Sequence, residues 1–314
     1  MADFTHVLES QQFTRAWLED FFPLARAMKS VPSLADNGVP CTDLAGKRMC
    51  TLFYEPSTRT RASFESAMWL LGGVVSFSTE NAREFSSAIK GESLEDTIRI
   101  LNGYHPHVIV LRYHEEGGAE RAARVSNVPI INAGDGTGQH PTQALLDIFT
   151  IHEELGSIAG ISIALVGDLD KGRTVRSLAY LLGRFQDIHI SLVSPPSLRM
   201  RDDIKYYLGS HGVRFAEHTD LREVAPNVDV IYQTRAQTER GSRQDLENDS
   251  AFCVINQGIL DVMQKNAIIM HPMPIDNEIR DREVVDKDPR VVYFRQAENG
   301  LYVRMALLKR VLTD

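Results

Sequence analysis

Short apolar runs bounded by turn residues alternate along this chain with longer stretches in which apolar residues recur every three or four positions. The runs predict parallel strands buried on both faces, and the longer stretches predict helices that cover them. In the first half, strands are expected at Arg48 to Tyr54, Val74 to Phe77, Val108 to Leu111 and Pro129 to Asn132. The rhythm repeats in the second half, with strands expected at Ile161 to Gly167, His189 to Ser194, Val228 to Gln233, Phe252 to Ile255 and Ala267 to His271.

Between the two sets, Ala144, Leu145, Ile148, Ile151 and Leu155 lie on one helical stripe, so His140 to Leu155 reads as a single helix bridging the halves. Ala297, Leu301, Met305, Leu308 and Leu312 form a second stripe, a C-terminal helix that must pack on something already built. The pattern predicts an α/β protein of two doubly wound domains with parallel sheets, linked by interdomain helices. The domains are expected at 1–145, completed by the C-terminal helix 293–314, and at 146–292.

The length of 314 residues allows about two domains, each with its own core. A net charge of -8 excludes a broad basic face for nucleic acid or an anionic membrane, so an anionic ligand would need a local positive pocket. Cys41, Cys50 and Cys253 lie far apart, which suits neither a disulfide framework nor a zinc site. No metal or organic cofactor is expected. The first residues carry an acid and no basic n-region before an apolar stretch, and no apolar run reaches the length of a bilayer span. The expected location is the cytoplasm, or the plastid stroma for a processed plant protein.

The strongest chemical signal is Phe53-Tyr54-Glu55-Pro56-Ser57-Thr58-Arg59-Thr60-Arg61, which follows a predicted strand and opens a helix. A phosphate dianion suits that place. Free N–H groups and the helix dipole point at it, the Ser57, Thr58 and Thr60 hydroxyls can donate to it, and Arg59 offers a planar fork. A dinucleotide-binding reading of the glycines in Val166 to Gly172 fails, because no G-x-G-x-x-G is present and Asp168 and Asp170 would repel a pyrophosphate. Arg173 and Arg235 each follow a predicted strand, and two guanidinium forks there, with Gln237 beside the second, suit two carboxylates.

Ser57-Thr58-Arg59-Thr60-Arg61 and His140-Pro141-Thr142-Gln143 resemble the two signatures of the aspartate and ornithine carbamoyltransferase family. The similarity continues through Lys90-Gly91-Glu92-Ser93, Val166-Gly167-Asp168-Leu169, Thr234-Arg235-Ala236-Gln237 and His271-Pro272-Met273-Pro274, and covers nearly the whole chain. Thr79 to Ser87 and Arg173 to Leu182 look closest to the aspartate-specific members of plants and their bacterial relatives. The resemblance implies transfer of the carbamoyl group of carbamoyl phosphate to L-aspartate in pyrimidine synthesis, with a carbamoyl-phosphate domain followed by an aspartate domain.

Each site residue carries an implied role. Ser57, Thr58, Arg59 and Thr60 hold the phosphate; Thr60, Arg112 and His140 converge on the carbonyl oxygen; Gln143 receives the carbamoyl amide. Ser86 and Lys90, on a polar loop, reach into a neighbouring subunit's site, which makes the assembly a homotrimer. Arg173, Arg235 and Gln237 clamp the carboxylates, and the backbone at Pro272, Met273 and Pro274 receives the amine, with a cis Met273-Pro274 bond. Two positions depart from the family pattern: Ile275 stands where an arginine is common, leaving any ion pair across that turn without its cation, and Thr238 stands where lysine is frequent.

Two other functions fit parts of the sequence less well. An ornithine enzyme typically carries His-Cys-Leu-Pro in place of His271-Pro272-Met273-Pro274, and its cationic substrate would be repelled by Arg173 and Arg235. A non-catalytic carbamoyl-phosphate-binding subunit would be expected to lose Lys90, Arg112 or His140, and all three are present. The sequence leaves open a regulatory chain or a dihydroorotase as partner, and feedback by a nucleotide such as UMP.

Overall fold

In the computed structural model of the chain, residues 5–39, 41–235 and 253–313 are described. Two compact units are present, one formed by the chain up to Leu145 together with the chain from Asn299, the other by Leu146–Glu298. Among the described residues, nine strands form two sheets, and every strand pairing is parallel.

The first unit opens with α1 (Arg15–Ala27) and α2 (Val31–Asp36). Then β1 (Arg48–Phe53), α3 (Thr58–Leu70), β2 (Val74–Thr79), α4 (Ala82–Phe85), α5 (Leu94–Asn102), β3 (Val108–Tyr113), α6 (Gly118–Ala123) and β4 (Ile130–Asp135) follow. The strand order is β2-β1-β3-β4. The chain leaves β1 toward β2 on one side and returns as β3 on the other, so the connections diverge between the carboxyl ends of β1 and β3.

The boundary between the units falls within α7 (Pro141–Leu155). The second unit continues with β5 (Ser162–Val166), α8 (Arg173–Leu182), β6 (His189–Val193), α9 (Asp202–Ser210), β7 (Arg214–His218), α10 (Leu221–Val224) and β8 (Val230–Gln233). After them come α11 (Gln257–Val262), β9 (Ile268–Met270), α12 (Arg282–Val285) and α13 (Tyr293–Thr313). The order β7-β6-β5-β8-β9 puts the divergence between β5 and β8. Both sheets have the apolar central strands expected of a two-sided parallel sheet; Ile163, Ala164, Leu165 and Val166 of β5 are all buried.

One expected strand is absent. Cys253 to Ile255 forms no sheet strand, Ile255 makes only an isolated bridge to Ile279, and Phe252 lies outside the described residues. The expected strand at Ala267 to His271 is β9, and the sheet's fifth strand is the unexpected β7, at the opposite edge. The apolar residues Cys253 and Ile255 instead fill the core beneath α10 and α11. α13 is fixed to α3 within the first unit: Arg304 is buried, donates to Ser63 Oγ at 2.9 Å and lies 5.3 Å from the Phe64 ring centre.

Candidate active site

In the first unit, the final residue of β1 pairs in register with Arg112 of β3. The Arg112 guanidinium lies across three strand ends: Nη2 is 3.5 Å from Glu55 Oε2 after β1, and Nη1 donates to the carbonyl of Ala133 in β4 at 3.3 Å. Two fixed partners on a half-buried fork remove most of its rotational freedom. The N-terminus of α3 stands beside it. Thr60 is buried in the first turn while Arg59 is exposed. The Ser57 N–H donates to Glu80 Oε1 at 2.8 Å, the Thr58 hydroxyl reaches the same oxygen at 3.4 Å, and Arg61 Nη2 lies 3.3 Å from Glu80 Oε2. A carboxylate just beyond β2 thus occupies donors at the positive end of this helix.

After β4, the Asp135 carboxylate folds the loop back on itself, accepting from Gln139 N–H at 2.8 Å and Gly117 N–H at 2.9 Å. That turn delivers His140 to the start of α7, where its carbonyl accepts from Gln143 and Ala144 N–H at 3.0 and 3.1 Å. Both side chains are buried, and His140 Nδ1 lies 3.4 Å from Thr142 Oγ1. Ser57, Thr58, Arg59, Thr60, Arg112, His140 and Gln143 therefore belong to one sheet edge, at the carboxyl ends of adjacent strands. Ser86 and Lys90 sit on a different segment, after the edge strand β2: Ser86 caps a turn over Ser87–Lys90 by accepting from Ala88 N–H at 3.1 Å, and Lys90 is exposed at its end.

In the second unit, Arg173 begins α8 after β5, Arg235 follows β8 by two residues, and His271 to Pro274 follows β9. These three strands are neighbours, so their carboxyl ends lie side by side. The ends of β5 and β8 approach closely enough to require glycine: Gly167 has φ +110°, and a Cβ there would meet the Thr234 carbonyl at 2.3 Å. The Met273-Pro274 bond is cis. Gln237, and with it Thr238, lies outside the described residues.

Ile275 shows what stands in place of the missing cation. Its side chain packs against the apolar core of the second unit. The turn is tied instead by Glu278, whose carboxylate accepts from His271 Nε2 at 2.8 Å and from the Asp276 N–H at 3.1 and 3.2 Å. Burial pushes the Glu278 carboxyl up, but the hydrogen bonds it receives from His271 and from backbone N–H groups outweigh it and hold it below the ordinary glutamate range.

The sequence reading missed Glu55, Glu80, Asp147 and Glu278. Asp147 had a visible signal: an acid within a helix whose apolar residues surround it, fully buried here. The other three are single acids whose partners lie distant in sequence or in polar turns, and no spacing marks them. Among the described residues, no three His, Cys, Asp or Glu side chains gather as a metal ion would need.

Two family profiles match the chain: aspartate/ornithine carbamoyltransferase, carbamoyl-P binding domain, over residues 5–153, and the Asp/Orn binding domain of the same family over residues 159–311. Chloroplastic aspartate carbamoyltransferase 1 of Pisum sativum is 56% identical over 308 residues, covering 98% of this chain and 78% of the pea protein. The crystal structure of Trypanosoma cruzi aspartate transcarbamoylase with N-(phosphonacetyl)-L-aspartic acid superposes with a TM-score of 0.90 at 41% identity, covering 98% of this chain and 96% of that one. The same enzyme with carbamoyl phosphate and aspartate gives 0.88 at 40% identity, with 98% and 96% covered. The chain belongs to the aspartate/ornithine carbamoyltransferase family.

Proposed function

We propose that this chain is an aspartate carbamoyltransferase catalytic subunit, converting carbamoyl phosphate and L-aspartate to N-carbamoyl-L-aspartate and phosphate in pyrimidine synthesis. The observation that carries the reading is that cationic side chains edge the divergence point of each sheet, Arg112 in one and Arg173 and Arg235 in the other, in a protein of net charge -8. The relatives support the choice of aspartate over ornithine.

The aspartate amine attacks the carbamoyl carbon, a C–N bond forms, and the C–O bond to phosphate breaks with its electron pair leaving on phosphate. The amine gives up a proton as it does so, and the departing phosphate takes it. No covalent nucleophile is required, so rate comes from holding two anions together and from donors fixed on the oxyanion. In this reading Ser57, Thr58, Arg59 and Thr60 bind the phosphate. Thr60, Arg112 and His140 donate to the carbonyl oxygen, and Gln143 takes the carbamoyl amide. Arg173, Arg235 and Gln237 bind the aspartate carboxylates, and the backbone at Pro272, Met273 and Pro274 orients the amine.

The active form is a homotrimer in which Ser86 and Lys90 complete a neighbour's site. Support comes from exposed apolar residues next to them in the chain: Phe85 is 76% exposed and Ile89 68%, and Val74 and Phe77 of the preceding edge strand β2 are exposed too. Such a patch asks for a protein partner. The location is proposed as the cytoplasm, or the plastid stroma as in the chloroplastic relatives; among the described residues no helix is long and apolar enough to cross a membrane. The activity is tested by incubating the purified protein with carbamoyl phosphate and a panel of amines. Aspartate and phosphate should change in equal amounts, and preferential consumption of ornithine would overturn the substrate assignment.

A further inference from the structure

Inside the second unit, five buried polar residues from four separate stretches join in one chain, four through side chains alone and His271 through its backbone N–H as well as its ring. The Tyr232 hydroxyl donates to Asp147 Oδ2 at 2.7 Å, and Gln296 Nε2 donates to Asp147 Oδ1 at 2.7 Å. Gln296 Oε1 accepts from the His271 N–H at 2.8 Å, and His271 Nε2 meets Glu278 Oε1 at 2.8 Å. All five lie among the buried residues, with Asp147 and Tyr232 wholly inaccessible. At the far end Tyr232 lies in β8, three residues before Arg235.

Every proton in this chain has one place to be. A backbone N–H can only donate, so His271 Nδ1, which receives the Met273 N–H at 2.8 Å, is unprotonated, and the ring proton sits on Nε2 toward Glu278. The Gln296 amide must turn its oxygen to the His271 N–H and its nitrogen to Asp147. With no alternative arrangement of donors and acceptors, the chain fixes its members rigidly. It ends on the two elements assigned above to aspartate. One is the end of β8, which leads to Arg235. The other is the turn at Met273, a non-glycine residue with φ +61° whose left-handed backbone must be held in place.

We infer that Tyr232, Asp147, Gln296, His271 and Glu278 form a positioning relay that locks the end of β8, and with it Arg235, and the 271–274 turn into one geometry, with Asp147 as its hub. The relay touches no reacting atom. It sets where the aspartate carboxylates and amine are received, and it supplies the bracing that the apolar Ile275 cannot. The inference rests on the assignment of aspartate to these two elements.

The test uses Tyr232→Phe and Glu278→Gln, which remove one hydroxyl and one charge without changing shape, alone and combined, with Arg235→Ala as a control. Each single relay variant should raise KM for aspartate about tenfold while leaving the Kd for carbamoyl phosphate unchanged. The double variant should raise KM by clearly less than the product of the two, because the second substitution acts on a chain already broken. Unchanged KM in both variants, strictly multiplicative effects, or a parallel loss of carbamoyl-phosphate affinity would each overturn the relay. If Arg235→Ala leaves KM for aspartate unaltered, the aspartate assignment itself fails. If only that control raises KM, the assignment stands and the relay falls.

Discussion

The Arg112 guanidinium lies 3.5 Å from the Glu55 carboxylate, and its other end donates to Ala133 at 3.3 Å. Held at both ends, the fork is aimed before substrate arrives, which is what an oxyanion donor requires. Arg112→Lys keeps the charge and loses the fork. Its kcat should fall by about 10²-fold, and Glu55→Gln, which only loosens the aim, should lose less, both read by steady-state kinetics.

Glu80 occupies donors at the start of α3 that the proposed phosphate site would use. Replacing it by glutamine removes a negative charge beside a bound anion. The dissociation constant for inorganic phosphate should therefore fall several-fold in Glu80→Gln, by an amount on the order of the 0.3–1 kcal/mol typical of a charge at a helix terminus. Titration calorimetry with phosphate checks it, and weaker binding would assign Glu80 a purely structural role.

Glu278 gives a pH signature. A carboxyl whose folded value is depressed contributes stability that is fully present above the unfolded value and is lost as pH falls through the folded one. Wild type should therefore exceed Glu278→Gln in Tm at neutral pH, and the gap should close as pH drops through and below the glutamate range. A gap that stays constant on acidification would mean that Glu278 is not held as the carboxylate.

Much of this architecture was legible in the sequence, because central parallel strands are apolar on both faces and helices carry their own period. The failures share one cause. β7 reads Arg214-Phe215-Ala216-Glu217-His218 and lies exposed at a sheet edge, so it has no apolar run to betray it, whereas Cys253 to Ile255 is apolar because it packs beneath helices. Positions 57–60 stand out in the sequence because they open a helix directly after a strand, whereas Arg112, His140 and Gln143 are expected only from the family resemblance. The relay was not: Asp147, Tyr232, His271, Glu278 and Gln296 are joined by the fold alone.

The proposed sharing of sites has its own test. Arg59→Ala and Lys90→Ala chains, each inactive alone, should regain activity when mixed, since a mixed trimer can assemble a site with neither defect. Absence of recovery in verified mixed trimers would place Lys90 in its own chain's site or outside any.

The central claim is a division of labour, with one unit receiving carbamoyl phosphate and the other aspartate. Measuring carbamoyl-phosphate affinity and aspartate turnover in Arg59→Ala and Arg173→Ala tests it most directly. Arg59→Ala should lose carbamoyl-phosphate binding, while Arg173→Ala should bind it as wild type does and fail at saturation with aspartate. Normal carbamoyl-phosphate binding by Arg59→Ala, or its loss in Arg173→Ala, would contradict the account.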